Sequence, residues 1–188
     1  MLQIDKKELR ERLTGLRDRI PEEVRSSAGA EIFRRVRALE QYAGSETVLC
    51  YVSVGSEPAT REFISAALRE GKKVAVPVIS RGEMTFGYID SVNSLVPGAY
   101  GIPTAPRRGG TVSDFSSCIC ITPCVSVDET GVRLGNGGGY YDRFLGSHRE
   151  VFSVAVCFDE TLSRELPRED HDIIVDMYIT QTVCKEVS

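Results

Sequence analysis

The chain has 188 residues, of which 41% are apolar and 27% charged, and a formal net charge of −4. These values exclude a disordered chain, which holds too few apolar residues to build a core, and exclude bulk nucleic-acid binding, which calls for a basic excess. A chain of this length buries most of its apolar surface without a metal or disulfide staple, so one domain spanning residues 1–188 is expected.

The N-terminus, MLQIDKKELRERL, is charged and has no apolar h-region, so it is not a secretory signal. Asp5 is placed to cap a first helix, with Glu8 three residues on to complete a capping box. Leu9, Leu13, Leu16 and Ile20 recur at helical spacing as its apolar stripe. Lys6 and Arg10, four apart, share another face. Pro21 suits the first turn of a second helix, whose stripe is Val24, Ala28, Ile32, Val36 and Leu39.

The pattern changes at Thr47. Thr47–Val52 is a continuous apolar run of strand length, as expected for a strand buried on both faces. Ser53–Thr60 is a loop rich in turn residues. Arg61–Glu70 reads as a helix stopped by Gly71, and Lys73–Ile79 as the next strand. Strand, helix, strand is the unit of a parallel sheet. Met84–Ile89 is a further strand, and Asn93–Thr111 a long irregular segment of the kind that covers a site. Cys118–Thr122 is a short buried strand, which Val125–Asp128 extends after Pro123. Val151–Phe158 and Ile173–Ile179 are the last two strands.

No run of eighteen apolar residues exists, so no membrane span is expected. Six cysteines occur, at Cys50, Cys118, Cys120, Cys124, Cys157 and Cys184, with no CxxC pair. His148 and His171 lie far from them in sequence. The expectation is buried, reduced thiols in a cytoplasmic protein rather than a zinc site. His148 is expected at the surface, and His171 as a polar residue beside Asp172.

Arg133–Asp142 reads RLGNGGGYYD, with glycines at 135, 137, 138 and 139. Ordering glycine costs backbone entropy, so a run this dense needs a reason. One reason is the approach of several backbone N–H groups to a single ligand. A preceding strand and a following helix would set the loop at a helix N-terminus, which favours phosphate. Arg133 adds a fixed charge suited to phosphate, and Asp142 a hard carboxylate suited to Mg²⁺. The alternative is a plain surface turn. The block is neither a P-loop, since GxxxxGK[ST] is absent, nor GxGxxG, since Tyr140 stands at the last glycine position.

The segment RLGNGGGYYDRFL resembles the signature of the 5-formyltetrahydrofolate cyclo-ligase family, also called methenyltetrahydrofolate synthetases. Lys6 and Arg10 are similar to that family's ATP-contacting helix start, YVSVGSEPAT to its substrate loop, KKVAVPVI to its next strand, and LPREDHDIIVD to its C-terminal segment. The loop Gly101–Pro106, GIPTAP, departs from the family pattern in lacking Glu, and the chain has no Trp. The resemblance implies a three-layer αβα fold with a mostly parallel, Rossmann-like sheet and N-terminal helices. It implies ATP- and Mg²⁺-dependent closure of 5-formyltetrahydrofolate to 5,10-methenyltetrahydrofolate.

Residue by residue, the resemblance implies ATP contacts from Lys6, Arg10, Arg133, Leu134, Gly135, Asn136, Gly137, Gly138, Gly139, Tyr140 and Tyr141. Val52, Glu57, Asn136, Gly137, Gly138, Gly139 and Tyr140 would face the folate. Arg133, Asn136 and Tyr140 would act in catalysis, and Asp142 and Asp172 would hold Mg²⁺. Tyr141 is also expected to pack in the core. Partners are then small molecules, with no nucleic acid, no membrane and a monomeric chain. The rival readings are a sugar-phosphate isomerase or CoA transferase on a similar scaffold, with Glu57 as base, and a non-catalytic folate- or nucleotide-binding protein.

Overall fold

The computed structural model describes residues 5–187. Helix α1, Lys6–Asp18, starts at Asp5, whose extended backbone lets its carboxylate accept from the Lys7 amide at 3.2 Å. The expected capping box is not closed, because Asp5 takes the amide of Lys7 rather than that of Glu8. Leu9 and Leu13 are buried as expected, but the stripe continues through Arg17, 6% exposed, while Leu16 is 39% exposed. Helix α2, Glu22–Arg37, is capped by Pro21 and buries Ala28, Ile32, Phe33 and Val36. Its expected stripe loses both ends. Val24 is exposed, and Leu39 caps a separate short helix, α3, Glu40–Gly44.

Seven strands form one sheet: β1 Thr47–Cys50, β2 Lys73–Ser80, β3 Glu83–Ile89, β4 Cys118–Pro123, β5 Phe152–Val156, β6 Met177–Ile179 and β7 Cys184–Glu186. Their spatial order is β7-β6-β5-β4-β1-β2-β3. The five strands β6-β5-β4-β1-β2 are parallel, and antiparallel β7 and β3 close the two edges. Ile173–Asp176, expected as strand, lies outside β6, and the exposed edge strand β7 was not foreseen.

Helices cover both faces, so the inner strands read as unbroken apolar runs. Val48, Cys50, Ile119 and Ile121 pack with Ile32 and Val36 of α2 and with Phe63 and Ile64 of α4, Arg61–Arg69. Leu49, Cys118 and Cys120 point the other way and pack with Phe144 and Leu145 of α5, Tyr140–Ser147. The chain leaves β1 toward β2 in one direction and β4 toward β5 in the other. A right-handed crossover rule then places α4 and α5 on opposite faces, and the crevice between β1 and β4 is where ligands of such sheets collect. Among the described residues no helix is long and apolar enough to cross a membrane.

Three local features position that crevice. Pro77 lies in β2 beyond its last pairing with β1, so its missing N–H leaves no gap on that side. Its carbonyl accepts from Thr104 Oγ1 at 2.6 Å, which ties the long segment after β3 to the sheet edge. Ser126–Val127, expected to extend β4, instead pairs antiparallel with Arg133–Leu134. Asp128 locks that hairpin: Oδ1 accepts from the amides of Thr130 and Val132 and from Thr130 Oγ1, and Oδ2 accepts from the Leu166 amide. The hairpin delivers the glycine block to the start of α5.

Candidate active site

A cleft of about 820 Å³ opens at the carboxyl ends of β1, β2 and β4. Every residue singled out above for ATP, folate or Mg²⁺ lines it, from Lys6 and Arg10 of α1 to Asp172 near the C-terminus. The two halves meet through α1: Arg10 Nε donates to the Gly135 carbonyl at 2.6 Å, across 125 positions of sequence.

The glycine block owes its composition to specific constraints. Gly137 has φ +93° and Gly139 φ +64°, conformations that side chains rarely adopt. Gly138 is not in that region. Its constraint is space, since a Cβ there would lie 2.8 Å from the Tyr140 ring. Gly139 caps α5 without a side-chain bond, leaving the first amides of the helix for a ligand. The Tyr140 ring stands at the cleft mouth, 4.9 Å from the Arg143 guanidinium carbon. Its hydroxyl is 3.0 Å from that of Tyr100. The Tyr141 hydroxyl is buried without a partner among the described residues, and its ring meets Phe86 edge-on while lining the cleft.

Arg133 and Asp142, read separately as a phosphate and a metal group, face each other. Arg133 Nη2 donates to Asp142 Oδ1 at 2.9 Å, and the two side chains are 3% and 17% exposed. The Ile173 amide donates to the same oxygen at 3.1 Å, which fixes the segment before β6 onto the site. Asp172, one residue before Ile173, lines the same cleft. Its Oδ2 accepts from Lys6 Nζ at 2.6 Å and from the Glu169 amide at 2.7 Å, while Lys6 also reaches Glu169 at 2.8 Å. The Asp172 carboxyl is pushed up by burial and pulled down further by Lys6 and the Glu169 amide, and ends below the usual range.

On the opposite wall, Glu57 follows β1. The Val54 amide donates to its Oε2 at 3.0 Å. Burial pushes the Glu57 carboxyl above the usual range, opposed by the Val54 amide, the charge of Arg17 and the Asn136 side chain. Asn136 thus brings the glycine block to Glu57. Between the two walls runs an apolar strip of Val52, Pro77, Ile79, Met84 and Ile102.

Sequence reading named Val52 of this strip but missed the rest of it, Tyr100, Glu169 and Arg17. Pro77, Ile79 and Met84 are strand residues whose apolar side chains look like core, and Ile102 lies in the long segment after β3. Tyr100, 76% exposed with φ +57°, lies in the segment already expected to cover a site. His148 lies at the surface as expected, its side chain 31% exposed, with its ring tilted against Phe115 and Phe144 at centroid distances of 4.2 and 4.7 Å. Five cysteines are buried as expected, but Cys184 on β7 is exposed.

A chain from Mycolicibacterium smegmatis named 5-formyltetrahydrofolate cyclo-ligase is 31% identical over 93% of each chain. One of the same name from Escherichia coli is 30% identical over 84% of this chain and 90% of its own. The solved structure of an Aquifex aeolicus 5,10-methenyltetrahydrofolate synthetase superposes with a TM-score of 0.85 at 28% identity, over 97% of this chain and 92% of that one. The profile of the 5-formyltetrahydrofolate cyclo-ligase family matches residues 3–181, so the chain belongs to this family of ligases.

Proposed function

We propose that the chain, as one domain over residues 1–188, converts 5-formyltetrahydrofolate to 5,10-methenyltetrahydrofolate with conversion of ATP to ADP and phosphate. The observation that carries this reading is the convergence of Glu57, the apolar strip and the glycine block on one cleft at the β1/β4 crevice. It offers a carboxylate for pterin N–H groups, an apolar bed for the ring system and free amides for phosphates.

The chemistry asks the protein mainly to position and to neutralise. The formyl oxygen attacks the γ-phosphorus of ATP, the bond to the bridging oxygen breaks, and ADP leaves. The formyl group now carries phosphate as a leaving group on an iminium carbon. N10 attacks that carbon, the carbon–oxygen bond breaks, phosphate departs and N10 gives up its proton. The substrate supplies both nucleophiles, which suits a cleft lined, among the described residues, by no Ser or Cys. Amides of Gly137–Tyr140, with Lys6 and Arg10, would hold the phosphates. Asn136 and Tyr140 would hold the formyl and N10 region between the two substrates, with Arg133 fixing Asp142.

The acidic groups fit Mg²⁺. Ligand atoms of Glu169, His171 and Asp172 lie within 4.8 Å of one another, and carboxylate oxygens suit a hard cation. By the resemblance Asp142 and Asp172 would hold it, of which Asp172 belongs to this cluster, and when bound it would offset charge on the phosphates. Lys6 donates to both Asp172 and Glu169, and with these carboxylates on a cation it would turn to the phosphates. We assign the protein to the cytoplasm as a monomer acting on small molecules, without nucleic-acid or membrane partners.

The test is product formation by the purified protein, followed by absorbance of the methenyl product together with ADP release. One ADP per methenyl group, and no product without ATP or Mg²⁺, is expected. Methenyl product formed at the same rate without ATP, or none under any condition, overturns the reading.

A further inference from the structure

Helix α1 carries a charge where its apolar stripe calls for a hydrocarbon. Leu9 and Leu13 are buried, and the next residue on that face is Arg17, buried just as deeply, while neighbouring Leu16 faces out. Burying a guanidinium is costly unless partners surround it, so its neighbours must account for it. Arg17 Nε donates to Ser56 Oγ at 2.9 Å, and Ser56 Oγ donates in turn to Asp18 Oδ1. Nη1 is buried with no hydrogen-bond partner among the described residues. Those bonds fasten α1 to the middle of the Ser53–Thr60 loop, one residue before Glu57. Fastening alone does not explain a cation, because a neutral donor would hold Ser56 equally well.

The surroundings of Glu57 supply the missing reason. From its own loop the Val54 amide reaches it, and from the glycine block Asn136. From the end of β1 comes Tyr51, whose hydroxyl donates to the Pro58 carbonyl at 2.7 Å, and from α5 the buried hydroxyl of Tyr141. Both phenols are neutral and raised by burial. The positive charge acting on Glu57 is that of Arg17. Glu57 lines the cleft and Arg17 does not, so Arg17 acts from behind the wall.

We propose that Arg17 is a positioning residue of the folate pocket, the buried counter-charge of Glu57 and, through Ser56, the anchor of the loop that carries it. The inference rests on the reading of Glu57 as the pterin-facing carboxylate. A carboxylate sunk in an apolar wall accepts from two ring N–H groups at once, through both oxygens, only while ionised; protonation turns one oxygen into a donor. Burial favours its neutral form, and a substrate that closes the cleft removes more water. A fixed positive charge behind it, out of contact with the ligand, keeps the acceptor without competing for the ring. Arginine suits the role because it does not lose its proton.

The sign follows from the geometry. Without Arg17 the Glu57 carboxyl rises further, so it protonates at higher pH and folate binding weakens from the acid side. The experiment uses the full chain and three variants. Arg17→Met keeps the stem without the charge, Arg17→Lys keeps a charge without the fork, and Ser56→Ala removes the anchor alone. The readouts are ¹³C NMR titration of the Glu57 carboxyl without ligands, and the folate KM against pH at saturating ATP. For Arg17→Met, the Glu57 midpoint moves up and the folate KM at about pH 6 rises by roughly tenfold, an effect of one nearby charge. The gap closes toward about pH 8.5, while the ATP KM stays within about twofold. Arg17→Lys keeps the midpoint near its original place. Ser56→Ala raises the folate KM by the same factor at every pH.

An unmoved Glu57 midpoint in folded Arg17→Met overturns the proposal. Should that variant not fold, Arg17→Lys decides: a midpoint displaced upward although the charge is retained overturns it equally. The NMR readout needs no folate, so a Glu57 response in a chain that turns over no folate would sink the substrate reading and leave the charge assignment standing.

Discussion

Asp142 pairs with Arg133 and is proposed to hold Mg²⁺, and the two roles separate on substitution. It is the buried counter-charge of Arg133 at 2.9 Å and accepts the Ile173 amide at 3.1 Å. Asp142→Ala leaves Arg133 alone in the interior, where its Nε already has no partner among the described residues. Removing one member of a buried pair costs about 3–5 kcal/mol. Asp142 keeps some contact with water, so the lower end applies, about 3 kcal/mol. At about 3 °C per kcal/mol for a chain of this length, Tm falls by roughly 9 °C. Asp142→Asn retains an oxygen that accepts from both donors and exchanges a charge-assisted bond for a neutral one. That costs about 1 kcal/mol, or roughly 3 °C. Combined with Arg133→Met, Asp142→Leu should cost less than the sum of the two singles, with a coupling of about 2 kcal/mol. Urea denaturation followed by circular dichroism measures these values, and Mg²⁺ titration of turnover measures the second duty. Asp142→Asn should be nearly as stable as the parent yet lose turnover at limiting Mg²⁺ by more than tenfold. An Asp142→Ala protein as stable as the parent refutes the pairing argument, and Asp142→Asn with unchanged Mg²⁺ dependence removes this carboxylate from the metal site.

Glu57→Gln leaves one acceptor and sets a donor against the pterin N–H groups. It should cost roughly 1.5–3 kcal/mol, one to two powers of ten in folate Kd, with ATP affinity unchanged by calorimetry; equal losses for both ligands would place Glu57 in a shared structural role. Gly138→Ala drives a Cβ into the Tyr140 ring at 2.8 Å. ATP affinity should fall several-fold while Tm drops by only a few degrees, and Gly138→Val should bind weaker still. Normal ATP binding in a folded Gly138→Val protein would reduce the block to a turn. In the native protein a thiol reagent should modify Cys184 quickly and the five buried cysteines only on unfolding. A second fast thiol contradicts the burial of the strands.

The sequence alone determined the inner strands, because a strand covered on both faces must be apolar at every position. Thr47–Cys50 and Cys118–Pro123 therefore announce themselves, and Gly71 stops the helix between the first two strands. It also singled out the glycine block, whose chemistry is local: two left-handed backbones, a ring against Gly138 and a helix start lie within a few residues. Beyond such local signals it had less to offer. The edge strand Cys184–Glu186 is exposed throughout and shows no periodicity. Arg17 rather than Leu16 turns inward because Ser56 and Glu57 wait there, 39 and 40 positions away, and no helical period carries that information. Asp142 looked like a free metal ligand until the hairpin at Ser126–Leu134 turned Arg133 onto it. The tertiary structure alone decided which charges meet, because a buried ion pair depends on the distance between two groups in space, whereas hydrophobic burial is non-directional and leaves its period in the chain.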